Sequence, residues 1–124
     1  MKLGADSEPI LRVLVIEDLM VVAIHIADML RDLGCAVVGP VAAIEPAIKL
    51  AQEEPLDAAI LAVSIDGEAV LPVAETLKTR CVPFAFATAY GEASLPEEWR
   101  GAPHLNKPFT SHQLSAFLHT LRVA

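Results

Sequence analysis

Polar side chains that could handle a phosphoryl group follow short runs that we predict to be strands. Glu17 and Asp18 come directly after VLVI. Thr88 closes PFAFAT, and Lys107 follows HLN. Two adjacent carboxylates repel each other, and a hard cation such as Mg²⁺ relieves that repulsion through oxygen ligands. Since a lysine adds a positive point charge and a threonine hydroxyl can donate to an anionic oxygen, these residue types predict a phosphoryl-binding site.

These side chains meet only if the runs before them are parallel strands, whose carboxyl ends lie at one edge of a sheet. Short β-type runs alternate with helical ones, which predicts five βα units in a parallel sheet covered on both faces. We predict strands over residues 11–16, 35–42, 58–61, 82–88 and 104–106, and helices over 20–33, 46–53, 72–79 and 110–121.

Local signals support these boundaries. Gly34 stands where a left-handed helix C-cap needs glycine. Thr110 and Gln113 form a predicted capping box at the start of the last helix, with Phe109 and Leu114 placed for a hydrophobic staple. Asp66 is predicted to serve a turn with the glycine that follows it.

The third predicted strand ends on a residue without reactive chemistry. The run AAIL reads as a buried strand, so a reactive carboxylate is expected at its tip, but position 62 is alanine. A methyl group neither accepts phosphate nor ligates a metal. With one carboxylate fewer, like-charge repulsion falls, and the chain should fold at least as stably as an Ala62→Asp version. Lys107 then needs Glu17 or Asp18 as its counter-ion.

Composition narrows the function further. The chain has 124 residues, a net charge of −7 and 54% hydrophobic residues, which excludes disorder and argues against binding nucleic acid or anionic membranes. No apolar stretch approaches the length of a membrane span, and two cysteines do not make a disulfide framework, so we expect a cytoplasmic protein. We predict a tail over residues 1–10 and one domain over 11–124, with enough apolar surface for a homodimer.

In their order along the chain, VLVIED (Val13 to Asp18), Thr88 and NKPF (Asn106 to Phe109) resemble the receiver domain of two-component response regulators. PFAFATAYG (Pro83 to Gly91) is similar to the motif of the stand-alone FAT-GUY branch, in which Gly-x-Tyr stands where this chain has Ala89-Tyr90. That branch has a shortened fourth helix, in keeping with the Gly/Pro-rich stretch after Tyr90.

The resemblance implies a flavodoxin-like (βα)5 α/β fold, a doubly wound parallel sheet of strand order 2-1-3-4-5, with a short or irregular fourth helix. It also implies a role for each matching position. The acceptor position is Ala62, the Mg²⁺ ligands are Glu17, Asp18 and the backbone carbonyl of Ser64, the phosphoryl contacts are Thr88 and Lys107, and the switch position, usually aromatic, is His104. Because the third carboxylate is missing, Mg²⁺ should bind weakly.

A receiver is a signalling protein rather than an enzyme, and the implied partners are a histidine kinase or a phosphotransfer protein. Val21 and Ile24 lie off the apolar stripe of the first helix, so they are either buried by neighbouring elements or form the partner surface. Two origins fit Ala62: a natural pseudo-receiver that signals by binding alone, or an active receiver with its aspartate replaced. The alternatives are a small α/β hydrolase or phosphatase using Glu17, Asp18 and Lys107, and a purely structural interaction module.

Overall fold

The computed structural model describes residues 10–88, 95–107 and 109–123, with side chains through residue 120. Five parallel strands lie within these residues: β1 (Arg12–Ile16), β2 (Ala36–Val41), β3 (Ala58–Ala62), β4 (Phe84–Thr88) and β5 (His104–Asn106). They form one sheet in the order β2-β1-β3-β4-β5. This is the predicted order, and the flavodoxin-like α/β fold is confirmed.

Helices cover both faces of this sheet. The described helices are α1 (Met20–Asp32), α2 (Ile44–Glu53), α3 (Leu71–Thr79) and α4 (Ser111–Val123). Buried residues of α1 and α4 share one core cluster, and those of α2 and α3 share the other. Between β4 and β5, the described part of the chain holds only a single 3₁₀ turn, Glu97–Trp99, in keeping with the short fourth helix expected there. None of the described helices is long and apolar enough to cross a membrane.

The central strands are buried on both sides because each face of the sheet packs on a helical layer. In β1, Val13 and Val15 belong to the core under α1 and α4, whereas Leu14 and Ile16 belong to the core under α2 and α3. Every residue of β3 is buried. Such strands read as continuous apolar runs, which is the pattern that the sequence shows.

Backbone geometry explains where α1 ends and how Pro46 fits into the first turn of α2. Gly34 has φ +87°, and the N–H groups of Gly34 and Cys35 donate to the carbonyls of Arg31 and Leu30. This hydrogen-bond pattern is a Schellman motif, as the glycine predicted. Helix α2 starts two residues earlier than predicted, so Pro46 lies at its third position rather than its first. Proline is tolerated there because the first turn has no intrahelical partner for its N–H groups.

Strand β2 is an edge strand, as its Gly-Pro pair predicted. Its pairing with β1 shifts register between Leu14 and Ile16. Gly39 lies at this irregularity with φ +96°, and a Cβ there would stand 2.9 Å from the backbone nitrogen of Val41. The irregular end of β2 lies beside the predicted site, because the N–H of Glu17 donates to the Val41 carbonyl at 3.0 Å.

Candidate functional site

The carboxyl ends of four strands bring the predicted site residues to one edge of the sheet. Ile16 pairs with Leu61, so the residues that follow them, Glu17 and Ala62, are next to each other along this edge. Thr88 ends β4 and pairs with Asn106 of β5. The N–H of Lys107 donates to the carbonyl of Thr88 at 2.7 Å, which fixes the start of the lysine beside the end of β4.

We call the space at this sheet edge, between Glu17, Ala62, Thr88 and Lys107, the crevice. A short ion pair spans it. The Nζ of Lys107 lies 2.6 Å from Oε1 of Glu17, whose side chain is only 2% exposed. The other carboxylate oxygen, Oε2, accepts a hydrogen bond from the N–H of Leu19 at 3.1 Å. Both oxygens of a buried carboxylate are therefore satisfied, as a buried charge requires. Of the two counter-ions that the sequence allowed for Lys107, the structure selects Glu17.

Asp18 is exposed, and its carboxylate accepts a hydrogen bond from the hairpin that follows β3. Its Oδ2 accepts the N–H of Asp66 at 2.7 Å. That hydrogen bond is the largest cause of the lowered pKa of Asp18; the Glu17 side chain and the charge of Lys107 also lower it, while burial opposes them. A loop 48 residues away in sequence thus lowers the pKa of the Asp18 carboxyl group through this hydrogen bond.

The hairpin consists of Ser64–Ile65 and Glu68–Ala69, paired antiparallel. Asp66 and Gly67 form its two-residue loop with φ +53° and +82°, and Asp-Gly is favoured where both loop residues need positive φ. Asp66 therefore serves the turn, as predicted. The bond from Asp66 to Asp18 was not foreseen, since the Asp-Gly pair signals a turn but not which distant carboxylate the turn will meet.

The oxygen donors of this crevice fit Mg²⁺ by type. Glu17 and Asp18 offer carboxylate oxygens, and Ser64 lies in the hairpin held by Asp18. Among the described residues, no group of three or more His, Cys, Asp and Glu is placed to hold a metal ion. The crevice therefore carries a donor set with two carboxylates, both of which already accept hydrogen bonds.

Ala62 and Thr88 complete the edge. Ala62 is 4% exposed and Thr88 is 3% exposed. Ala62 pairs with Ala87 of β4, which is the residue before Thr88. The methyl group of Ala62 therefore lies next to the end of β4. The position for which the sequence predicts an acceptor role is therefore enclosed between Glu17 on one neighbouring strand and the end of β4 on the other.

His104 lies farther from the crevice than these residues. It is half-buried at the start of β5 and pairs with Phe86, two residues before the pairing of Thr88 with Asn106. Its assignment as the switch position remains a prediction. Ala89 and Tyr90, which carry the end of the FAT-GUY resemblance, and Pro108 of NKPF lie outside the described residues.

Helix α1 presents an apolar surface beside the crevice. Val21 is 81% and Ile24 is 52% exposed within the described structure, so their burial by neighbouring elements, one of the two alternatives, is wrong. Leu19 and Met20 are exposed next to them. We call these four residues the α1 patch. Sequence periodicity indicated two of its members, because they lie off the buried stripe of the helix.

Comparison with known proteins identifies the family. No family model matches the chain. The solution structure of SdrG from Sphingomonas melonis Fr1, a response regulator receiver domain, is 35% identical with a TM-score of 0.81, and the match covers 91% of this chain and 97% of that one. The chain belongs to the response regulator receiver family.

Two other similar proteins bear on the extent and fold of this receiver. The transcriptional regulatory protein PdtaR of Mycobacterium tuberculosis is 30% identical over 114 residues, 89% of this chain and 56% of that protein. The receiver thus spans about half the length of the curated relatives it matches. The receiver domain of the sensor histidine kinase PA1611 from Pseudomonas aeruginosa PAO1, solved with magnesium in its active-site cleft, is 24% identical with a TM-score of 0.80 over 94% of this chain and all of that one. At that identity the likeness shows the fold alone.

Proposed function

We propose that this receiver takes part in a phosphorelay by docking to its partner and that, as it stands, it accepts no phosphoryl group. One observation carries the proposal. The end of β3 has a methyl group at Ala62, while the acidic pair, Thr88 and the Glu17-bound Lys107 stand around it at the same sheet edge. This is the arrangement of a phosphoryl site without a nucleophile.

Each residue has a defined part in an aspartate-bearing version. Magnesium, where bound, supplies positive charge for the phosphoryl oxygens. Glu17, Asp18 and the backbone carbonyl of Ser64 would hold it through their oxygen atoms. Lys107 places an ammonium at the sheet edge, and Thr88 offers a hydroxyl to a phosphoryl oxygen. Catalysis in such a site is positioning and charge stabilisation, so only the nucleophile at position 62 is missing.

The acceptor prediction is tested by restoring an aspartate. This chain and its Ala62→Asp version are incubated with a small phosphodonor and Mg²⁺, and their intact masses are measured. We expect one phosphoryl group on the Ala62→Asp protein and none on this chain, because only a carboxylate at the strand tip can attack. Ala62→Asp with Asp66→Asn should label equally well, since Asp66 serves the turn. Equal labelling of this chain would show that the acceptor lies elsewhere.

The α1 patch is the surface that we propose for the partner, a histidine kinase or a phosphotransfer protein. The exposed, uncharged side chains of Val21 and Ile24 lie on the helix that begins two residues after Asp18. A docked partner here reaches the crevice directly. Large exposed apolar side chains that cluster on one surface mark interaction sites more often than isolated ones do.

Charging this patch is expected to abolish partner binding. Val21→Glu with Ile24→Glu places two carboxylates in a surface that must lose water on docking, while both positions are exposed and the fold should persist. Binding to the cognate kinase or phosphotransfer protein is measured alongside circular dichroism. Gln52→Glu with Thr79→Glu adds the same charge to exposed sites on the opposite helical layer and should leave binding intact. Unchanged binding by the α1 variant would refute this surface.

A further inference from the structure

We infer that Lys107 is an internal counter-cation that occupies the place of the divalent ion at Glu17, so that lysine and Mg²⁺ compete for this carboxylate. The inference rests on the proposed function only in taking the crevice as the magnesium site. It concerns the present chain with Ala62, and it names the residue that sets the affinity of that site for metal.

The first support is the geometry of the ion pair. Nζ of Lys107 approaches Oε1 of Glu17 to 2.6 Å, and Leu19 donates to the other oxygen. Among the described residues, Lys107 is the only cation in contact with this carboxylate. A metal ion that approaches Oε1 of Glu17 therefore meets an ammonium already in contact with that oxygen, and the two cations repel each other.

The second support is the absence of an alternative anion at the strand tip. In a crevice with an aspartate at position 62, a displaced lysine finds a new carboxylate. Here it finds the methyl group of Ala62, which is 4% exposed. Among the described residues, Asp18 is a further carboxylate near enough for the charge of Lys107 to lower its pKa, and the same metal ion would use it. Metal binding thus breaks the ion pair without forming another, and an unpaired cation beside a divalent one is repelled.

The third support is that the carboxylates of Glu17 and Asp18 have different partners. Asp18 is exposed, and its Oδ2 accepts a neutral backbone N–H from Asp66. Its second oxygen faces no cation within ion-pair distance in the described structure. Asp18 therefore remains open to a metal ion, and the position of Lys107 at Glu17 decides whether a second carboxylate ligand is free.

The test is a magnesium titration of variants that keep Ala62. Lys107→Met removes the charge, and Lys107→Gln removes it while keeping a donor for Glu17, so that one neutral variant folds even if the other does not. Mg²⁺ binding is measured by calorimetry and as the rise in melting temperature that a ligand of the native state produces. We expect both variants to bind Mg²⁺ on the order of tenfold more tightly than the unmodified chain, as removal of one adjacent positive charge implies.

Two controls separate competition from nonspecific charge. Lys49→Met removes an exposed lysine of α2 and should leave the affinity unchanged. Adding Glu17→Gln to Lys107→Met should return binding to the weak level of the unmodified chain. If neither neutral Lys107 variant binds Mg²⁺ more tightly, or if Lys49→Met tightens binding equally, the inference is wrong. The phosphodonor experiment on Ala62→Asp is unaffected by either outcome, so the proposed function stands or falls separately.

Discussion

Glu17 keeps a charge at the carboxyl end of β1 with almost no exposed surface, and this is possible because Lys107 and a backbone N–H satisfy both of its oxygens. Removing one member of a buried pair leaves the other charge without compensation, which costs far more than the pair itself contributes. At the scale of single residues, the ion pair is therefore the most sensitive polar contact of the described crevice.

Lys107→Met should lower the free energy of unfolding by about 3 kcal/mol, near the lower end for a buried pair because the lysine side chain is 21% exposed. Urea unfolding in metal-free buffer measures this change. The double variant Glu17→Gln with Lys107→Met should recover most of the loss, since no charge is then buried and the introduced amide can still accept from the N–H of Leu19. Lys49→Met serves as the exposed control. A loss of less than about 0.5 kcal/mol, the range of ordinary surface substitutions, would contradict this role of the pair.

Residue types at the site were predictable from the sequence, but their pairing was not. Glu17, Asp18 and Lys107 stand out because each follows a strand, and this placed all three at one edge. Which carboxylate meets the lysine depends on side-chain direction and burial: Glu17 points into the crevice at 2% exposure, whereas Asp18 faces the hairpin. Sequence spacing carries no such directional information for side chains brought together from different strands.

At the scale of elements, helix α4 positions the end of the crevice, because it begins four residues after Lys107. Its start is defined by reciprocal bonds: the N–H of Thr110 donates to Oε1 of Gln113 at 2.8 Å, and the N–H of Gln113 donates to Oγ1 of Thr110 at 3.1 Å. Phe109 and Leu114 are buried in the same core cluster. The predicted capping box is confirmed. Since Phe109 and Leu114 are buried beside it, the segment that follows Lys107 is anchored in the core.

Thr110→Ala should destabilise the receiver by about 1 kcal/mol, because an N-terminal N–H of α4 loses its acceptor and Gln113 loses its partner hydroxyl. Chemical denaturation measures the change. Ser111→Ala, at the next exposed position, is the matched control and should stay within about 0.5 kcal/mol of the unmodified chain. Equal effects of the two substitutions would show that the cap does not stabilise this helix.

Boundaries of the elements followed from local signals where a cap or turn residue was present. Gly34 marked the end of α1 correctly, and the Thr110–Gln113 pair marked the start of α4. The start of α2 was misplaced because Pro46 is favourable at several positions of a first turn, and the side chain of Ala43 supplies no capping bond that a sequence pattern would reveal. The hairpin strands of two residues each are too short to show a periodicity.

At the scale of the whole molecule, the alternation of strands with helices predicted a parallel sheet with right-handed crossovers, and the resemblance to receivers implied the order of its strands. The observed order places β3 between β1 and β4, so Ala62 lies between Glu17 and the end of β4. The fold was therefore predictable, and so was the alanine at the buried end of β3, while its interpretation as the missing acceptor stays a prediction. The exposure of the α1 patch was left open between two alternatives, since only packing of the complete molecule shows which side of a helix remains uncovered.

The most direct test of the central claim maps the crevice with beryllium trifluoride, a phosphoryl mimic that needs a carboxylate to bind. Amide chemical shifts of this chain and of Ala62→Asp, both in buffer that already contains Mg²⁺, are compared before and after addition of the mimic. A phosphoryl site lacking only its acceptor predicts shifts at Asp18, Thr88 and Lys107 in the Ala62→Asp protein and none in this chain. Shifts at the same amides in both proteins, or in neither, would contradict the claim that position 62 is the missing acceptor of this site.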